Sequence, residues 1–143
     1  MKIFNIKENV SLKCEIGELP VKDEYRGIGY FKVSGIYKDG SSGSDDAEHA
    51  RGMMAYAQER YCYSLWLLDL SELKYDWGDD IDLILGMDEL EEIDSVAIVV
   101  GSECIEAIST LDGLLNPPEY CLTKEGYYDN ISDAYEYLLQ QYT

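Results

Sequence analysis

The chain has 143 residues, with 29 acidic against 11 basic side chains and a formal net charge of -18 at pH 7. A field of this sign repels nucleic acid and anionic membranes and concentrates cationic ligands, so it argues against both and favours a basic protein as partner. Hydrophobic residues make up 46% of the chain, a fraction typical of globular proteins, and a chain of this length suits one domain.

Signals of secretion, membrane insertion and metal binding are missing from the sequence. The N-terminus alternates polar and apolar residues, and no segment approaches the roughly 18 apolar residues that span a bilayer. We therefore expect a cytoplasmic protein. His49 is the single histidine and the cysteines lack a C-x-x-C pair, so we expect reduced thiols, no metal site and no cofactor. The cysteines are Cys14, Cys62, Cys104 and Cys121.

The first 61 residues predict three strands and a helix. Apolar residues alternate in residues 3–6 and 12–17, which we expect to pair as an N-terminal hairpin within residues 1–17, and residues 27–37 predict a third strand. Ser44 or Asp45 is suited to cap the helix, which we expect to end near Tyr61. Its inner face follows spacings of three and four: Ala47, Ala50, Met53, Met54, Ala57 and Tyr61.

Two nearly continuous apolar runs, residues 64–70 and 95–100, predict buried strands in the middle of an α/β sheet. A helix is expected between them. Asp88 would fall on the apolar face of this helix if it ran straight, so we expect a break at Gly86. The inward residues of the helix are Ile81, Ile84 and Leu85.

The remaining residues predict a helix, a short strand and a last helix. The first of these helices ends at two prolines. Its inward residues are Ile105, Ile108 and either Leu111 or Leu115. Residues 120–123 are expected to form the last strand. The inner face of the last helix is Ile131, Tyr135, Leu138, Leu139 and Tyr142.

This order of elements predicts a single α/β domain over residues 1–143. Repeated strand and helix units imply parallel strands joined by right-handed crossovers. The early hairpin adds antiparallel strands. We therefore expect a mixed β-sheet with amphipathic helices on its faces.

Four segments that precede or open the predicted helices carry a family pattern: residues 31–36 (FKVSGI), 67–73 (LLDLSEL), 96–101 (VAIVVG) and 131–134 (ISDA). With them the chain resembles, over residues 27–142, the STAS domain family, the fold of bacterial anti-sigma factor antagonists. The resemblance implies a non-enzymatic, STAS-like protein-binding domain. The phosphorylated Ser or Thr of that family corresponds here to Gly78 or Asp79, so the resemblance does not carry over its phospho-switch.

Residues 76–94, which we call the acidic segment, hold nine carboxylates and no Lys or Arg. These are Asp76, Asp79, Asp80, Asp82, Asp88, Glu89, Glu91, Glu92 and Asp94. We predict that the carboxylates as far as Glu92, together with Trp77, bind the partner. Trp77 lies among the acids at the turn into the helix, which is the composition of an interface hot spot. The alternative is that Trp77 packs beneath the edge of the sheet.

Other chemistries find less support. Residues 80–82 begin like a calcium loop but lack its glycine and closing glutamate at the required spacing. Paired carboxylates for glycoside hydrolysis would need a desolvated acid in a sugar cleft. Cys104 lies in a first helical turn, where Glu103 and Glu106 oppose a thiolate. The sequence contains no recognisable combination of a nucleophile, a general base and a cofactor-binding motif. We therefore expect that the protein is not an enzyme.

Two functions remain as hypotheses. The first is an immunity or antitoxin-type inhibitor that covers the basic surface of a toxin such as a nuclease, with association speeded by electrostatic steering. The second is a divergent STAS-type regulator that binds an anti-sigma factor or a signalling complex, with Asp79 as a constitutive charge. A carrier of small apolar ligands is a third possibility, supported by aromatic content alone.

Overall fold

Six strands form one mixed sheet in the residues that the structure, a computed structural model, describes, namely 1–3 and 11–142. The strands are β1 (Leu12–Leu19), β2 (Ile28–Ile36), β3 (Leu65–Leu70), β4 (Leu73–Lys74), β5 (Ser95–Val100) and β6 (Tyr127–Tyr128). The helices are α1 (Gly43–Tyr61), α2 (Asp82–Leu85), α3 (Ile105–Ser109) and α4 (Ile131–Gln141). Short 3-10 turns lie at Gly40–Ser42, Met87–Glu89, Thr110–Asp112 and Tyr120–Thr123. The prediction of a single α/β domain with a mixed sheet is confirmed.

The strand order places the three crossover helices on one face of the sheet. The strands lie in the order β1-β2-β3-β5-β6, with β4 beside the end of β2. β1 is antiparallel to β2, and the other neighbours are parallel. Every crossover therefore moves in the same direction, and right-handed connections then put α1, α2 and α3 on the same face. α4 follows the last strand and packs on the opposite face.

β3 lies at the centre of the sheet and is buried along its whole length. Its side chains alternate between two cores, because Trp66 and Leu68 pack beneath α1 to α3 whereas Leu65 and Leu67 pack against α4. β5 pairs with β3 along all six residues. The prediction that residues 64–70 and 95–100 provide central buried strands is confirmed.

The N-terminal predictions have mixed outcomes. The strand predicted at residues 3–6, and with it the hairpin, falls almost wholly outside the described residues. The strand predicted at 12–17 is β1, which pairs antiparallel with β2. α1 begins at Gly43, so the prediction that Ser44 or Asp45 caps it is wrong; the preceding 3-10 turn runs directly into the helix. The hydroxyl of Ser44 instead donates to a carboxylate oxygen of Asp80 at 2.5 Å.

Helix ends explain the apolar residues whose burial was predicted wrongly. Tyr61 is the last residue of α1 and is 38% exposed, and Ile131 is the first of α4 and is 41% exposed. α3 ends at Ser109, so Leu111 and Leu115 lie beyond the helix and are exposed. Helical spacing predicts an inner face only as far as the helix itself continues.

The last strand is β6 rather than residues 120–123. Those four residues form a 3-10 turn, in which the amide of Cys121 donates to the hydroxyl of Ser109 at 3.0 Å. This amide therefore bonds to a side chain instead of to a neighbouring strand. Tyr127 pairs instead with Ile98 of β5.

Candidate protein-binding surface

All nine carboxylates of the acidic segment are exposed. The apolar residues between them are buried, among them Ile81, Ile84 and Met87. The predicted break is confirmed, because α2 ends before Gly86 and a 3-10 turn follows it. This turn buries Met87 and leaves Asp88 exposed. The segment is thus an ordered surface with an apolar underside.

Arg51 of α1 fixes the middle of the acidic segment. Its Nη1 donates to the carbonyl oxygens of Leu83 and Gly86, each at 3.0 Å. Its Nη2 lies 3.6 Å from a carboxylate oxygen of Glu89. The guanidinium therefore bonds to two carbonyl groups in and just after α2, of which that of Gly86 also accepts from the amide of Glu89 at 2.9 Å. Within the described residues Glu89 is the only one of the nine acids in an ion pair, so eight carboxylates lack a cationic partner.

Gln58 of α1 fixes the end of the acidic segment. Its Nε2 donates to the carbonyl oxygen of Glu91 at 3.1 Å, and its Oε1 accepts from the indole Nε1 of Trp66 at 2.7 Å. Ser44, at the start of the same helix, binds Asp80. α1 therefore holds the segment near its start, middle and end, and the carboxylates occupy fixed positions before a partner binds.

The loop of residues 75–80, which we call the Trp77 loop, is braced by two buried tyrosines. The hydroxyl of Tyr75 donates to the carbonyl oxygen of Gly78 at 3.2 Å, and that of Tyr37 donates to the carbonyl oxygen of Asp79 at 2.5 Å. The two rings meet edge to face with centroids 5.2 Å apart. Burial raises the pKa of both phenols, so both stay protonated donors at neutral pH.

Gly78 allows the Trp77 loop to pack directly on the connection between β2 and α1. A Cβ at Gly78 would lie 2.1 Å from the carbonyl oxygen of Lys38, so a larger residue requires the backbone to move. Lys38 is itself held, because its amide donates to the buried carboxylate of Asp46 at 2.6 Å. The amide of Asp79 also donates to the carbonyl oxygen of Gly40 at 2.8 Å.

Trp77 is 64% exposed although the loop that carries it is fixed. The edge of its ring lies over Gly40, where an added Cβ would be 3.1 Å from Cη2. The alternative that Trp77 packs beneath the edge of the sheet is therefore wrong. The buried tryptophan is Trp66. Exposed carboxylates flank Trp77 at Asp76 and Asp79. The position is that of an accessible aromatic anchor, while its part in binding stays a prediction.

A groove of about 510 Å³ runs between the acidic segment and the chain that follows β5, and we call it the acidic groove. The acidic segment lines it with Asp80, Asp82 and Glu89. The lining also includes Lys124, whose ammonium lies 2.9 Å from a carboxylate oxygen of Asp112. That hydrogen bond raises the pKa of Lys124. Because this cation already has an anionic partner, the groove keeps an excess of negative charge.

The structure gives no added support to the other chemistries. Cys104 and Cys121 are buried, Cys14 is half-buried and Cys62 is exposed, and all four thiols are free. Burial raises the pKa of the Cys104 thiol to about 11, so at neutral pH it is protonated and a poor nucleophile. Within residues 1–3 and 11–142, no group of three or more His, Cys, Asp or Glu side chains is placed to hold a metal ion. No helix in the same part of the chain is long and apolar enough to cross a membrane.

Sequence reasoning missed the residues that hold this surface in place. Arg51 and Gln58 each follow a residue of the predicted inner face of α1, Ala50 and Ala57. A polar residue beside an apolar stripe is placed to reach the neighbouring element, and that was the available signal. It does not name the element, because the carbonyl groups of the acidic segment that both side chains bind are more than thirty residues away.

The position that the STAS resemblance assigns to a phosphorylated hydroxyl is split between a buried Gly78 and an exposed Asp79. The fold class, a small α/β domain with a mixed sheet, is compatible with that family. Comparison with models of known protein families gives no match, and comparison with curated protein sequences gives none. The family relationship therefore stays a proposal.

Proposed function

We propose that this chain is a non-enzymatic acidic protein-binding domain that works as an immunity or antitoxin-type inhibitor, covering the basic surface of a toxin such as a nuclease. The acidic segment supports the proposal best, with nine exposed carboxylates of which eight lack an ion pair within the described residues. Solubility alone is served by charges anywhere on a surface. Here three side chains of one helix hold the charges in one place.

A basic toxin surface is the natural complement of such a segment. A nuclease binds phosphate groups with Lys and Arg, so its active surface is positive. Carboxylates held opposite that surface compete with the nucleic acid for the same cations. Electrostatic steering raises association rates to about 10⁸ to 10⁹ M⁻¹s⁻¹ at low salt. Fast capture suits an inhibitor that must act before its partner does damage.

Trp77 can supply the binding free energy that exposed carboxylates alone do not provide. Exposed ion pairs are worth only about 0 to 1 kcal/mol each, so charge alone gives speed rather than a lasting complex. A large aromatic side chain that becomes desolvated at the centre of an interface contributes far more. Because Tyr37, Tyr75 and Gly78 fix the backbone of the Trp77 loop, little conformational entropy is lost when a partner covers the ring.

A divergent STAS-type regulator is the second candidate. It is favoured by the α/β class of the fold and by Asp79, an exposed carboxylate at the position of the family's phosphorylated residue. In that case Asp79 would act as a permanent negative charge and the partner would be an anti-sigma factor or a signalling complex. The acidic segment would then surround a regulatory contact rather than cover a toxin.

The test is co-expression with each protein encoded next to this one. A neighbour that stops growth of the host alone, and no longer does so when this chain is present, identifies a toxin and supports the inhibitor. A purified complex of the two should dissociate as salt is raised. A kinase-like or anti-sigma neighbour that binds this chain without toxicity would favour the regulator instead. If this chain does not relieve the growth arrest caused by any neighbour, the inhibitor function is contradicted.

A control separates the acidic segment from general acidity. The variant with Asp79, Asp80 and Asp82 changed to Asn should give weaker protection of the host, whereas Asn or Gln at three exposed acids elsewhere should protect as well as the parent. The matched acids are Asp23, Glu24 and Glu136.

A further inference from the structure

Residues 110–118, which we call the leucine loop, expose apolar side chains next to the acidic groove. Leu111 is 49% exposed, Leu114 is 87% exposed and Leu115 is 99% exposed. Single exposed apolar residues are ordinary on a protein surface. Here three leucines within five residues concentrate exposed apolar surface in one loop, and Leu111 also lines the groove.

The leucine loop is held at both ends, so the exposure is not that of a frayed segment. The hydroxyl of buried Ser109 donates to the carbonyl oxygen of Pro118 at 3.0 Å and accepts from the amide of Cys121 at 3.0 Å. The side-chain amide of Asn116 donates to the carbonyl oxygen of Ser109 at 3.2 Å. These bonds fold the loop back on the end of α3 and keep Leu114 and Leu115 turned to solvent.

Charge and apolar surface therefore meet along one groove. Its lining combines the carboxylates of Asp80 and Asp82 with the apolar side chains of Leu85, Ile108 and Leu111. A ligand that carried only positive charge would leave the apolar part uncovered. A ligand that was only apolar would have to approach unpaired carboxylates. The surface fits a chain that carries both kinds of side chain.

We propose that the acidic groove and the leucine loop together bind one segment of the partner protein in which Lys or Arg side chains alternate with apolar ones. The cations face Asp80 and Asp82, and the apolar side chains cover Leu111, Leu114 and Leu115. The proposal rests on the proposed function, because it describes where and how the basic partner docks. Charge complementarity with Asp80 and Asp82, together with the exposed leucines beside them, favours this occupant.

The experiment uses two synthetic peptides of equal length and equal arginine content, with leucines between the arginines in one and serines in the other. Binding to the whole chain is measured by titration calorimetry, and backbone amide shifts are followed by NMR. The leucine peptide should bind about tenfold more tightly or better, as expected for burial of a few apolar side chains. Its shifts should map to the leucine loop and to residues 80–89.

A double variant isolates the apolar contact. Leu114→Ser combined with Leu115→Ser should remove the advantage of the leucine peptide and leave binding of the serine peptide unchanged. Tyr25→Ser, at a fully exposed aromatic residue between β1 and β2, is the matched control and should leave the advantage intact. Because all three side chains are exposed, the variants should fold as the parent does.

Equal affinity for the two peptides, shifts confined to other surfaces, or an advantage that survives the double variant would each overturn the proposal. These outcomes differ from failure of the proposed function. If the peptides behave as expected but this chain relieves the toxicity of no neighbouring protein, the proposed docking surface is supported and the inhibitor function is contradicted. If toxicity is relieved equally by the double variant and the peptides are not distinguished, the inhibitor stands and this docking surface is wrong.

Discussion

The two tryptophans lie in regions of opposite character. Trp66 is fully buried in β3 and donates to Gln58, whereas Trp77 is 64% exposed on a loop that is also held in place. β3 is ordered because it is covered on both faces. The Trp77 loop is ordered because Tyr37 and Tyr75 bind its backbone from below and leave the indole free. Order and burial are separate properties here, and an ordered, exposed aromatic is what a binding surface requires.

The buried member of the pair should dominate stability. Trp66→Ala leaves a cavity in the main core and removes the donor to Gln58, so the free energy of unfolding should fall by about 3 to 5 kcal/mol. Urea denaturation followed by circular dichroism measures it. Trp77→Ala in the same assay is the matched control. A loss for Trp66→Ala below about 1 kcal/mol would show that the core does not depend on this ring.

The exposed member should dominate binding instead. Trp77→Ala should weaken binding to the true partner by about 2 kcal/mol or more. Its free energy of unfolding should change by no more than about 0.5 kcal/mol, because the side chain is largely in water. Calorimetric titration and urea denaturation of the same preparation give both values. If Trp77→Ala binds the partner with unchanged affinity, Trp77 is not part of the interface.

The fixed backbone of the Trp77 loop can be tested at its closest contact. Gly78→Ala forces a Cβ against the carbonyl oxygen of Lys38 and should lower the free energy of unfolding by about 1 to 3 kcal/mol. Gly52→Ala in α1 is the control, since a Cβ there meets nothing within 4 Å. It should raise stability by up to about 1 kcal/mol through helix propensity. Equal effects of the two substitutions would mean that the Trp77 loop is not tightly packed.

The carboxylates should affect rates more than stability. Asn at Asp79, Asp80 and Asp82 should slow association with the partner and flatten its dependence on salt, because steering is lost. Stopped-flow measurements at low and high salt follow both quantities. Stability should change little, because an Asn at position 80 can still accept from the hydroxyl of Ser44 while repulsion between the acids is relieved. If the association rate changes neither with salt nor with these substitutions, the acidic segment is only a solvated surface.

Sequence reasoning succeeded where a local pattern leaves one physical solution. The nearly continuous apolar runs of β3 and β5 indicated strands covered on both faces, and Gly86 ends α2 because a straight helix would have buried Asp88. It also found the acidic segment, whose exposure follows from charge. The α/β class followed from the order of these elements.

It failed where distant residues decide the outcome. Residues 120–123 are apolar enough for a strand, and the hydroxyl of Ser109 turns them into a 3-10 turn. The exposure of Trp77 depends on how the loop meets Lys38 and Gly40, far away in sequence. Leu115 matches the helical spacing of α3, but α3 ends six residues earlier. Composition and spacing contain none of these contacts.

The attachment of the acidic segment to α1 has a consequence for hydrogen exchange. Arg51 and Gln58 donate to backbone carbonyls of the segment, so its backbone is tied to two successive stretches of one long helix. Local opening of α2 then breaks bonds that also order the side chains of α1, and the two elements should exchange their slow amides as one cooperative unit. A partner that covers only the outer carboxylates would therefore also protect amides on the inner face of α1, which it never touches.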